Sequence, residues 1–235
     1  MIEHSSKQFD AELDAIRANL TRMGGLVEEQ VRAAITAFTE SDLDLIEIVI
    51  QRDQNVDALE VEIDNACTHV VARRQPTAID LRMVMSVGKV VTDLERIGDE
   101  AKKIAKTTRK VLERGTNEIV TRSLGIEQVG EKAAGMLHQV LDAFVRLDVV
   151  AAGSIVREDK DVDQQFRATM RQLVTFMMED PRTISTALDV IFIAKSIERI
   201  GDHCKNIAED VIYIAHGRDV RHIGLDALER EVNGE

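Results

Sequence analysis

Apolar residues recur every three or four positions along almost the whole chain, and no stretch persuasively alternates between apolar and polar. That period is the mark of amphipathic helices, so the pattern predicts an all-α protein. Six helices follow from it. The first runs from about Phe9 to Thr39, and the second opens at Ser41, with Asp44 three residues on as a capping-box-like acid. The third begins near Pro76-Thr77 and stops at Gly115, a C′ glycine. The fourth covers about Ile119 to Leu147 and the fifth about Asp148 to Glu179. Asp180 caps the sixth, Pro181 takes its first helical position, and it ends near Gly217. Residues 218–235 read as a polar, weakly ordered tail.

The two halves repeat. Residues 95–105 read ERIGDEAKKIA and residues 198–208 read ERIGDHCKNIA, agreeing at eight of eleven positions. Upstream, Asp53 and Asp57 fall opposite Asp159 and Asp163, and Ala37-Phe38 opposite Ala143-Phe144. Pro76 and Pro181 precede the third helix of each half. Matches in this order imply two tandem three-helix bundles, residues 1–115 and 116–217, followed by the tail at 218–235.

Composition adds limits. With only 2 Pro, no Trp and 31% charged residues, the chain suits bundles with apolar seams and charged outer faces. Its formal net charge of -12 is repelled by phosphate backbones, which excludes nucleic acid and favours cations or basic protein surfaces. Cys67 and Cys204 form no Cys-x-x-Cys pair, so neither a disulfide framework nor a thiolate zinc site is expected and a reducing cytosol fits. The N-terminal MIEHSSKQFD has no apolar h-region, and no apolar run approaches the ~20 residues of a membrane span.

Candidate chemistry lies beside the seams. On the sixth helix Ile197, Ile200, Cys204, Ile207 and Val211 form a buried seam, and Glu198, Asp202, Asn206 and Glu209 line a strip next to it. The third helix repeats the frame with Glu95 and Asp99, but its row ends in Lys103 and Lys106. Carboxylates at i and i+4 repel each other, and a hard cation between them removes that repulsion. One helix supplies too few ligands, so Asp53-Asp57 or Asp159-Asp163 on a neighbouring helix is expected to complete a shell. All-oxygen ligands favour iron, manganese, magnesium or calcium. The bland reading is a solvated charged face. Against it stand the recurrence in both halves and the helix-interior Gly98 and Gly201, which imply close approach of a neighbouring helix or a ligand.

Arg96 and Arg199 have a mild explanation as partners of acids on adjacent helices. His203 reads as a surface histidine, because the other half has Glu100 there, and His69, His138, His216 and His222 read as isolated. Met83-Met85 and Met177-Met178 are core or docking methionines. No phosphate loop, nucleophile elbow or His-Glu-x-x-His motif is present, so no enzyme is expected. A ferritin-like di-metal storage or oxidase protein is the alternative, weakened by the missing Glu-x-x-His pattern.

Two three-helix repeats, each with Glu-Arg-Ile-Gly-Asp before an Ile-Ala, resemble the PhoU family over residues 5–217. The resemblance implies a non-enzymatic cytoplasmic regulator, peripheral at the inner membrane face through its partners and dimeric. It would couple the ATPase subunit of a phosphate ABC transporter to the sensory region of a membrane histidine kinase, repressing phosphate-starvation genes when phosphate is plentiful. The family's Glu/Asp-x-x-x-Asp motif, which holds iron or zinc-like sites in some members, falls on Glu95 and Asp99 and on Glu198 and Asp202. Lys103 and Lys106 favour the second copy as the better site.

Overall fold

A computed structural model describes residues 2–115 and 125–233. Its helices are α1 (Ile2–Glu40), α2 (Leu43–Arg74), α3 (Ala78–Glu113), α4 (Ile126–Arg146), α5 (Val149–Glu179), α6 (Ile184–His216) and α7 (Leu225–Asn233), with a 3-10 turn at Pro181–Thr183 before α6. Among the described residues there is no strand, and no helix is long and apolar enough to cross a membrane.

Local chemistry sets the helix ends. Asp42, not Ser41, caps α2, accepting from the backbone N–H of Asp44 at 2.9 Å and of Leu45 at 3.1 Å. Ser41 instead turns the chain in the left-handed region at φ 59°. Asp148 caps α5 through the N–H of Ala151 at 3.0 Å, and Asp180 caps the 3-10 turn through that of Arg182 at 3.0 Å. Gly217 closes α6 at φ 75° and donates to Tyr213 O at 2.8 Å. The expected start of the fourth helix at Ile119 lies outside the described residues.

In each half the third helix carries the core. Leu94, Ile97, Ala101 and Ile104 of α3 are buried, as are Ile197, Ile200, Cys204, Ile207 and Val211 of α6. α1 and α2 pack on α3, α4 and α5 pack on α6, and the halves join through α3 with α6 and α1 with α4. Both junctions run antiparallel. Arg82 near the start of α3 donates to Ile214 O near the end of α6 at 3.1 Å, and Arg114 at the far end pairs with Asp189. In the α1–α4 junction a Cβ on Gly24 would lie 2.5 Å from Leu141 Cδ2, and one on Gly130 would lie 2.8 Å from Ile35 Cδ1. Gly24 and Ile35 stand opposite Gly130 and Leu141 at the same repeat offset as Asp53 and Asp159. The duplicated units therefore meet about a pseudo-two-fold axis, each seating its partner's branched side chain on a glycine.

The C-terminal segment corrects the expectation of a weakly ordered tail. Val220 and Leu228 are buried, and Val232 of α7 packs over Gly153 of α5. Glu231 binds Arg218 at 2.7 Å and His216 at 3.2 Å, so that histidine is not isolated. His138 likewise meets Glu28 at 3.1 Å. Met83 is core, whereas Met85 and Met178 are exposed.

Candidate functional site

Gly98 and Gly201 are where the site is built. A Cβ on Gly98 would lie 3.3 Å from Gln30 Oε1 and 3.8 Å from Asp53 Oδ1; one on Gly201 would lie 3.3 Å from Asp159 Oδ1. Each glycine thus lets a buried aspartate of the preceding helix approach the backbone of α3 or α6. Within each half the acids of neighbouring helices lie close enough to act on one another, Asp53 and Asp57 on Glu95, and Asp202 on Asp159.

Neither buried aspartate is bare. Lys102 Nζ pairs with Asp53, whose Oδ1 also accepts from Gln30 Nε2 at 3.2 Å. Lys205 Nζ lies 3.5 Å from Asp159 Oδ2. Lys102 and Lys205 occupy one repeat position, three residues after Asp99 and Asp202, so each acidic cluster carries its own ammonium. Lys103 points elsewhere, to Glu100 at 3.0 Å, and Lys106 is exposed.

The first cluster holds the greater excess of negative charge. Burial first, then mutual repulsion, pushes the carboxyls of Asp57, Glu60 and Glu95 above their ordinary range. In the second half Phe166 replaces Glu60, and Lys195, over its ring at 5.4 Å, pairs with Glu198. The first half has Thr92 at the position of Lys195, with its hydroxyl bonded to Gly88 O at 3.0 Å.

The four-residue strip on α6 does not converge. From Glu198 to Asn206 the helix turns about 80° and rises ~12 Å, and Glu209 stands ~16 Å along the axis from Glu198. Asn206 accordingly faces α3, where its amide donates to Asp93 Oδ1 at 3.3 Å. His203, expected at the surface, is buried in the same α3–α6 junction with Nδ1 2.8 Å from Asp93 Oδ1. Arg199 meets Glu100 across that junction at 2.8 Å, as its mild explanation required.

Glu209 is buried near Lys205 and Asp210, and burial pushes its carboxyl from 4.5 up to about 7. Folding therefore favours the protonated acid. That contribution is fully present below the unfolded value and is lost as pH rises through the folded one. Glu209→Gln should leave stability nearly unchanged at pH 4 and raise it at pH 8 by about 3 kcal/mol. Urea unfolding at the two pH values checks this; equal effects at both would contradict it.

The donors suit a hard cation in chemistry. Both clusters are all-oxygen, while Cys67 and Cys204 are buried, with burial pushing the Cys67 thiol up to about 11 and that of Cys204 up as well. In this arrangement, however, no three His, Cys, Asp or Glu side chains among the described residues are grouped to hold a metal ion. Each cluster lies between two helices of its own half.

The family described as "PhoU domain" matches residues 20–108 and 126–211, one segment for each half. The chain belongs to the PhoU family. It is 48% identical over 233 residues to the phosphate-specific transport system accessory protein PhoU of Escherichia coli (strain K12), covering 99% of this chain and 95% of that one. The crystal structure of PhoU from Pseudomonas aeruginosa superimposes with a TM-score of 0.85 at 44% identity, covering 89% of this chain and all of the other. That of the phosphate transport system regulatory protein PhoU from Streptococcus pneumoniae gives 0.82 at 29%, covering 90% and 99%. The two PhoU segments coincide with the internal repeat and stop short of α7.

Proposed function

We propose that this chain is a cytoplasmic, non-enzymatic accessory regulator of a phosphate transport system. Near-full-length identity to the E. coli accessory protein is the observation that carries this reading. The chain regulates by contact. It binds the ATPase subunit of a phosphate ABC transporter and the sensory region of a membrane histidine kinase, and it holds the phosphate-starvation response off when phosphate is plentiful. It works as a homodimer. Its charge of -12 supports basic partner surfaces, found through long-range attraction that salt weakens.

Metal binding belongs to the same reading. The Asp57, Glu60, Glu95 and Asp99 group fits a divalent or iron-type cation better than the Glu198-Asp202 group, because Lys195 already neutralises Glu198. On this reading the first cluster is the stronger candidate, whereas the α3 row read by itself, ending in Lys103 and Lys106, favours the second.

The immobilised full chain, exposed to membrane extracts, should retain the transporter ATPase subunit at about 50 mM salt and release most of it by about 300 mM. Mass spectrometry reads the outcome. Absence of that subunit at low salt would overturn the partner assignment.

A further inference from the structure

We propose that Lys102 is a tethered counter-ion that occupies the cation position of the first acidic cluster and gives it up to a divalent cation. The inference rests on the metal reading above and adds the group that competes with the metal.

Three observations support the exchange. Lys102 pairs with Asp53, and the charges of Asp99 and Asp57 also act on it, so three carboxylates from two helices bear on one cation. Asp53 is buried, whereas the Lys102 side chain is about a quarter exposed on a flexible four-carbon stem. The lysine can therefore swing to solvent and the aspartate cannot. Gln30 supplies the independent sign of a ligand. Its Oε1 is fully buried without a hydrogen-bond partner, and it faces the notch over Gly98 that Asp53 Oδ1 also faces. A buried carbonyl oxygen left without a donor is costly, and a cation in the notch would satisfy it.

The second half is a control within the same chain. Lys205 sits on Asp159 in the equivalent way, but Met136 stands at the repeat position of Gln30, and Glu198 is held by Lys195. Exchange there gains fewer oxygens. Exchange in the first half would release a positive charge onto the surface while the notch takes up two, making the cluster a cation-dependent element of the α2–α3 face.

The test uses the full-length chain and Mn(II) alone, followed by the loss of the free-ion electron paramagnetic resonance signal. Lys102→Met should bind Mn(II) about tenfold more tightly than the parent, or better, since about 1.4 kcal/mol of competition disappears. Lys102→Arg should not, because its charge remains, and Lys205→Met should gain less. Adding Asp57→Asn and Asp99→Asn to Lys102→Met should abolish the gain. Thermal unfolding with and without Mn(II) gives a second readout and shows that each variant is folded. If the parent binds Mn(II) and Lys102→Met binds no better, the counter-ion role is wrong while the metal reading survives. If neither binds Mn(II), both fall.

Discussion

Asp53→Ala should lower the unfolding free energy by about 2–3 kcal/mol, one of the larger losses available from a single side chain outside the apolar core. Removing one partner of a buried ion pair typically costs about 3–5 kcal/mol; the partial exposure of Lys102 lets the orphaned ammonium reach water and trims that figure. The Gln30 amide loses an acceptor at the same time, keeping only Val49 O at 3.2 Å. For a chain of this length the melting temperature should fall by roughly 5–10 °C. Asp53→Leu combined with Lys102→Met removes both charges and should recover much of the loss, because an apolar pair needs no compensation. By contrast Asp142→Ala, which breaks an exposed pair with Arg146, should change stability by less than about 0.5 kcal/mol. A melting temperature for Asp53→Ala within a degree of the parent would mean that the Asp53–Lys102 pair is as dispensable as that surface pair.

The same pair shows what the sequence could and could not tell. The seams of α3 and α6 were legible because buried apolar residues at three- and four-residue spacing have no other explanation. The glycines were legible as sites of close approach, since a helix-interior glycine needs a reason. What lay against them was not: Gln30 and Asp53 reach Gly98 from two other helices, and their spacing in sequence carries no sign of it. Lys102 and Lys205 were visible among the eight matched positions of the repeat, but a lysine three residues after an aspartate reads as solvated surface until the aspartate of the next helix is placed. Lys103 and Lys106 stand out in the sequence instead because they sit on the same row as Glu95, and a row read from one helix ignores the face a neighbour covers.

Asn206 shows the opposite error. Steps of four residues keep neighbours together once, but two such steps turn the side chain toward α3. His203 looked exposed beside Asp202 because nothing in its own helix announces Asp93, 110 residues away. α7 was missed for a different reason. Nine residues with two apolar contacts are too short for periodicity to register, and the helix is held by packing on α5 and by Glu231 rather than by its own propensity.

The largest expected effect is physiological. A regulator that acts through contacts changes the state of its partners without chemistry of its own, and coupling free energies of about 1–3 kcal/mol translate into changes of roughly 5–150-fold. Losing the protein should therefore leave phosphate-starvation genes on in a rich medium. The near-full-length similarity to the E. coli accessory protein allows this to be tested across species. The direct measurement is a phosphate-starvation reporter in E. coli lacking its own PhoU, grown in abundant phosphate with and without this chain. Expression of the chain should cut reporter output by about tenfold or more. Reporter output that stays high while the chain is present, folded and abundant would contradict the regulatory role.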